Sequence, residues 1–257
     1  MTFNHICRHS YNNNDNMTEA PIKSKAQLKI LPQPTDVSCG PTCLHAVYSY
    51  FGDNIDLNTL INEVKTLKDG GTLAVMLGNN ALKRNYKACI YTYNLHVFDP
   101  SWFSNGIDIS EKLKEQLFYK NSKKLRQATK AYLSFLEMGG EIKFEELRPA
   151  LIKRILSKGT PILSGLSATY LYNSQREIGE LNVYHDTKGE PSGHFVVISD
   201  YDSVSKKCRI ADPLNPNPIK DSIQYYRVDV RRVINAILLG IVTYDANLLI
   251  IEPGKNA

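Results

Sequence analysis

Four residues of this sequence have the types, order and surroundings for nucleophilic chemistry: Gln33, Cys39, His194 and Asp212. Cys39 stands where a loop turns into a helix. The Pro, Asp and Ser residues from Pro34 to Ser38 read as a tight loop. Leu44, Val47, Tyr48 and Phe51 then recur at three- and four-residue steps, which predicts a helix running to Phe51 and stopping at Gly52. The loop thus delivers Cys39 to the first turn of a buried helix. There the unpaired N–H groups and the positive end of the helix dipole favour negative charge, the condition a nucleophilic thiolate needs. Gly40 beside it leaves room for a substrate backbone to approach. Gln33, six residues upstream on the loop side, can turn its amide N–H toward the oxygen of a carbonyl under attack, an oxyanion-hole role.

Cys39 alone reads more readily as a small buried hydrophobe; what overturns that reading lies further along the chain. Gly193 to Tyr201 reads as a strand that opens with His194, Asp202 to Lys207 as a hairpin turn, and Cys208 to Asp212 as the returning strand. Two strands of about eight residues with a short turn bring His194 and Asp212 to the same end of the hairpin. An aspartate there accepts the imidazole N–H, fixes the tautomer and steadies the imidazolium that pairs with a thiolate. Taken singly, His194 fits a core histidine, and Asp212-Pro213 fits a turn opening. Together they fit one nucleophilic mechanism.

Elements that must position these residues follow in order. Leu28 to Leu31 reads as a short strand leading into the Gln33 loop. Asp56 caps a second helix with Leu57, Leu60, Ile61 and Val64 on one face, and a third helix follows Gly70-Gly71-Thr72. Gly70-Gly71 lacks phosphate-loop or dinucleotide spacing. Lys87 to Leu95 has strand character. Residues 99–146 are Lys-rich and amphipathic from Asp108 to Met138, and predict two or three helices inserted in the domain and packed on its core. A helix from Phe144 to Ser157 and a buried strand through Ile162 to Leu166 come next. The polar, Tyr-bearing stretch from Tyr170 to Ser192 reads as a flap.

Composition sets the outer limits. The chain has 257 residues, 42% hydrophobic and 22% charged, ordinary for a globular protein. A net charge of +5 without basic patches interleaved with aromatics argues against a nucleic-acid partner. No apolar run approaches the roughly 20 residues of a membrane helix, and no signal peptide is evident, so the expectation is a cytoplasmic protein with no membrane partner. Five cysteines without framework spacing fit reduced thiols. His5, Cys7 and His9 are cramped for a metal site and lack a fourth ligand; Cys43, one turn below Cys39, reads as core rather than as a ligand with His45. No cofactor is expected. Residues 1–26 read as a loosely ordered polar tail and 27–257 as one domain.

The motifs Gln33…Ser38-Cys39-Gly40-Pro41-Thr42-Cys43-Leu44, Gly193-His194-Phe195-Val196-Val197 and Ile210-Ala211-Asp212-Pro213 together resemble the papain-like cysteine peptidases. The resemblance is strongest to the branch of bacteriocin-processing, double-glycine-leader peptidases and their stand-alone relatives, over about residues 27–98 and 147–250. It implies an α+β fold in which a helical half bearing Cys39 packs on an antiparallel sheet bearing His194 and Asp212. It also implies Cys39 as nucleophile, His194 as general acid/base, Asp212 as orienter and Gln33 as oxyanion donor. The bacteriocin processors are fused to a membrane transporter; this sequence carries neither membrane spans nor an ATP-binding cassette, so leader cleavage during export is not the expected task. The function implied is a thiol hydrolase cleaving a peptide or isopeptide bond, with a peptide or small amide as partner. An acyl transferase using the same acyl-enzyme and a catalytically silent binding module are the alternatives.

Overall fold

The computed structural model describes residues 27–67, 71–104, 106–179, 183–219 and 224–254. The tail at residues 1–26, with His5, Cys7 and His9, lies outside the described residues. Three helices, α1 (Cys39–Tyr50), α2 (Leu57–Glu63) and α3 (Ala74–Lys83), lead to strand β1 (Tyr86–Thr92). Then come α4 (Ile109–Tyr119), α5 (Lys123–Glu137), β2 (Glu141–Lys143), α6 (Pro149–Ser157) and β3 (Ile162–Ser167). After α7 (Ala168–Tyr172), β4 (Glu177–Ile178) and β5 (Val183–Tyr184), the chain forms β6 (Gly193–Asp202), β7 (Lys207–Ala211), β8 (Tyr225–Asp229), α8 (Val230–Leu239) and β9 (Asn247–Pro253).

Seven strands make one sheet in the order β2-β1-β9-β3-β6-β7-β8, antiparallel except for the β1–β2 edge, while β4 and β5 form a separate two-stranded ribbon. Strand periodicity divides the apolar residues between two cores. In β6, Phe195 and Val197 join a core with residues of α1, α3 and α5; Val196 and Ile198 join a second with residues of α6 and α8. β9 repeats the pattern, with Leu249 and Ile251 in the first core and Leu248 and Ile250 in the second. The α+β arrangement therefore has helices on both faces of the sheet, where the sequence suggested a helical half on one. Runs such as Val196-Val197-Ile198, apolar at every position, are the signature of a strand buried on both sides.

Helix ends follow their capping chemistry. Asp56 accepts a hydrogen bond from Thr59 N at 2.9 Å and starts α2; Asp108 and Ser122 cap α4 and α5 in the same way. Gly52, at φ +89°, follows the end of α1. The helix predicted from Phe144 begins only at Pro149. Proline fixes its own φ for a first helical turn and forces the preceding Arg148 to extended geometry (φ −120°, ψ 158°). Leu28 to Leu31 does not become a strand. Leu28 and Ile30 are buried in alternation, but Ile30 N donates to the Tyr225 hydroxyl at 2.7 Å rather than to a neighbouring strand. Tyr170 to Tyr172, at the start of the predicted flap, lie in α7, which packs on α8.

Helices α4 and α5 fill the Lys-rich middle stretch, and their apolar faces are part of the first core. Leu125, Ala128, Tyr132 and Phe135 of α5 are all buried there, and α5 packs on α3. Phe135 is 0% exposed, and a Cβ at Gly78 of α3 would come 2.7 Å from its ring, so the two helices meet closely. Phe135→Ala is accordingly expected to destabilise the protein by about 3–5 kcal/mol in urea unfolding, the usual cost of emptying a closed aromatic site. A loss below about 1 kcal/mol would mean that α5 is a detachable appendage.

Candidate active site

Cys39 is the first residue of α1 and is partly exposed. No side chain caps this helix. Ser38, at the cap position, is engaged elsewhere: its Oγ donates to Thr35 O at 2.8 Å and accepts from Thr35 N at 2.9 Å, which pins the preceding loop. The unpaired N–H groups of the first turn thus remain available to negative charge at the thiol. Gly40 does not serve substrate approach as the sequence suggested. It is buried, and a Cβ there would lie 3.3 Å from both Leu77 and Phe195, so its smallness lets α1 settle onto α3 and β6. Cys43 is fully buried, and its Sγ donates to Phe195 O at 3.2 Å, a core role.

His194 opens β6, and Asp212 follows the last residue of β7. Register pairs Val197 with Ala211, so the hairpin carries both to one end. His194 Nε2 donates to Asp212 Oδ1 at 2.9 Å, with the imidazole 7% exposed and the carboxylate fully buried. Cys39 lines the same cleft as His194, close enough for its side chain to act on the imidazole. Burial, the largest influence on His194, works to strip its proton. The Asp212 carboxylate and then the Cys39 side chain outweigh it and push the imidazole up to about 10.

Asp212 has three further donors: Tyr226 Oη at 2.5 Å, Tyr172 Oη at 2.8 Å and Leu214 N at 3.0 Å. Burial, again the largest influence, raises its carboxyl, yet the His194 charge and these hydrogen bonds hold it below the ordinary range. Sequence reasoning missed both tyrosines. Tyr226 lies in a strand with Val228 buried two residues on, and a tyrosine in such a pattern needs a polar partner for its hydroxyl. Tyr172 gave no comparable signal.

Gln33 is placed beside this group through its backbone: Gln33 N donates to Pro213 O at 2.8 Å, joining the nucleophile loop to the residue after Asp212. Its side-chain amide donates to Thr35 O at 3.2 Å, and its buried Oε1 has no partner. The structure thus bonds His194 to Asp212 and sets Cys39 on the same cleft as His194, with the Gln33 amide folded toward its own loop. Cys39 and His194 line a cleft of about 190 Å³ together with Gly71, Thr72, Leu73, Lys124, Gly193, Phe195, Thr243 and Asp245. A larger hollow of about 500 Å³ lies between Pro100–Phe103 and α4, but no nucleophile lines it. Among the described residues, no group of three or more His, Cys, Asp or Glu side chains gathers as a metal site, and no helix is long and apolar enough to cross a membrane.

A thiol at an uncapped helix N-terminus, an imidazole and a buried carboxylate form the kind of assembly that cysteine peptidases use. The profile of the Peptidase_C39 like family matches residues 20–235, and the chain belongs to that family. Comparison with curated protein sequences gives no match. Among solved structures, the chain is similar to one described as a C39-like peptidase from Bacillus anthracis, at 17% identity and a TM-score of 0.46, covering 90% of this chain and 97% of that one. It is also similar to the peptidase domain of Streptococcus ComA, a bifunctional ABC transporter of a quorum-sensing pathway (14% identity, TM-score 0.42, 88% and 99% covered). A third similar structure is a double-glycine-motif protease from an AMS/PCAT transporter in complex with the leader peptide (14% identity, TM-score 0.41, 90% and 96% covered).

The hydroxyls on Asp212 make a prediction with a definite sign. A carboxyl lowered in the folded state contributes stability above its unfolded value of about 3.9, and that contribution is lost as pH falls through the folded value. Tyr226→Phe removes the shortest of these bonds and is expected to cost about 1.5–3 kcal/mol at neutral pH, as for a hydrogen bond to a charged group. It is also expected to move the acid-unfolding midpoint to higher pH, followed by circular dichroism. An unchanged midpoint with full neutral stability would mean that Tyr226 is not a partner of a charged Asp212.

Proposed function

We propose that the protein is a thiol-dependent hydrolase that cleaves a peptide or isopeptide bond through an acyl-enzyme on Cys39. The observation that carries this reading is the 2.9 Å bond from His194 Nε2 to the buried Asp212 Oδ1, made at the cleft that Cys39 and His194 line together. In the first half-reaction the Cys39 sulfur attacks the carbonyl carbon, and its charge passes to the carbonyl oxygen. N–H groups of the uncapped first turn of α1 face the developing negative charge, and the Gln33 amide serves as a further donor once it turns from Thr35 O. As the tetrahedral species collapses, the C–N bond breaks and His194 gives a proton to the departing amine. In the second half-reaction neutral His194 takes a proton from water, the oxygen of that water bonds to the acyl carbon, and the C–S bond breaks. Throughout, Asp212 holds the ring by Nε2 and steadies its charged form.

Four cysteines among the described residues are free, which suits a reducing compartment and supports a cytoplasmic setting. A silent binding module would have no use for a buried charged pair beside a thiol at a helix end.

Two measurements test the reading. Iodoacetamide at neutral pH, followed by mass spectrometry, should label Cys39 well ahead of Cys43, Cys89 and Cys208. Burial raises Cys43 well above the ordinary range and pushes Cys89 to about 11 and Cys208 to about 12. His194→Ala should erase the advantage; equal labelling of Cys39 with and without His194 would contradict the pairing. In turnover of a peptide library, Cys39→Ala should show none while remaining folded. Asp212→Asn should lower kcat by about 10²–10⁴ with KM little changed, the range of positioned proton transfer.

A further inference from the structure

Besides the exposed Asp36, the cleft is lined by a buried carboxyl that the thiol chemistry does not use. Asp245, between the turn residue Thr243 and strand β9, lines the cleft with Cys39 and His194 and is 6% exposed. Its Oδ2 accepts one hydrogen bond, from Thr243 Oγ1 at 3.0 Å; its buried Oδ1 has no partner. Buried carboxylates are ordinarily saturated with donors, so a carboxyl with one hydrogen bond in a cleft shared with Cys39 has capacity for another donor.

The surroundings are shaped around this group. A Cβ at Gly165 would stand 2.6 Å from Oδ1, one at Gly193 2.7 Å from Oδ2, and one at Gly240 3.3 Å from the Asp245 Cβ. Three strands or turns thus give up side chains to seat the carboxyl. Lys124 acts on the carboxyl from a distance: its Nζ donates to Thr243 O at 3.5 Å and lies 4.6 Å from the centre of the Tyr244 ring. The titratable groups facing Asp245 are Lys124 and Tyr132 on α5 and His194 on β6. Burial pushes the carboxyl up to about 7, against the pull of Thr243, Lys124 and His194, so it gains a proton or a cation readily at neutral pH.

We propose that Asp245 is the specificity-determining residue of the cleft and binds a primary ammonium group of the substrate, close to the carbonyl that Cys39 attacks. A compact ammonium supplies a full charge and three donors at one point. The substrate class that follows is a peptide or amide bearing either a free N-terminal amine or a lysine side chain next to the scissile bond. This inference rests on Cys39 as the reacting group of the cleft.

The test uses protection of Cys39 from iodoacetamide in the whole protein, read by mass spectrometry. Three probes are compared: glycylglycinamide, its N-acetyl derivative and N-acetyl-lysinamide. At least one amine-bearing probe is expected to protect Cys39 about tenfold more effectively than N-acetyl-glycylglycinamide, and Asp245→Asn is expected to remove that difference, protection being expressed relative to the same protein's own unprotected labelling rate. Protection by glycylglycinamide alone assigns the N-terminal amine; protection by N-acetyl-lysinamide alone assigns the lysine side chain. Equal protection by all three, no protection by either amine, or a difference that survives Asp245→Asn overturns the proposal. If Asp245→Asn does not fold, the amine-against-acetyl comparison in the natural protein decides alone. A Cys39 that labels no faster than Cys43 contradicts the hydrolase reading, whereas the protection ratio still reports on Asp245 by itself.

Discussion

The fully buried carboxylate of Asp212 is the constraint on which the site depends. A charge in that position is tolerable only when surrounded by donors, and here the donors come from separate parts of the chain: His194 on β6, Tyr172 on α7, Tyr226 on β8 and the backbone of Leu214. Removing one leaves an uncompensated charge, so each element must arrive for the others to be stable. The Gln33 N–Pro213 O bond adds the loop before Cys39 to the same assembly. Desolvation thereby turns into alignment: the groups that make Asp212 affordable are the groups that fix where the imidazole points.

The sheet makes this convergence possible. Because its central strands are covered on both faces, β3, β6 and β9 are held by two independent cores, and their ends can carry polar groups without loosening the centre. α1 settles on β6 through Gly40, and Cys39 shares a cleft with Gly193 and His194 at the start of that strand. The same crowding at Gly165, Gly193 and Gly240 encloses Asp245.

Local chemistry made much of this legible in the sequence. Apolar steps gave α1, Asp56 gave the start of α2, and strand and turn lengths placed His194 and Asp212 at one end of a hairpin. What escaped depended on distance or context. Arg148 extended because Pro149 follows it, a signal present in the sequence but outweighed there by the apolar run. The tyrosines on Asp212 are 40 and 14 residues from it, and no local pattern announces such partners. Gly40 looked like room for substrate because its packing against Leu77 and Phe195 is tertiary. Asp245, flanked by Tyr244 and Ala246 in left-handed backbone, draws no reading from the sequence, because its burial follows only from the sheet around it.

The most direct measurement of the central claim is the ¹⁵N NMR titration of the His194 ring in the free protein. With Asp212 on Nε2 and Cys39 on the other side, both ring nitrogens should remain protonated through neutral pH, and the proton should leave only toward a pH of about 10. A ring that titrates near about 6.5, like a histidine in an unstructured peptide, would contradict the account, because the carboxylate and the thiol would then not be acting on the imidazole.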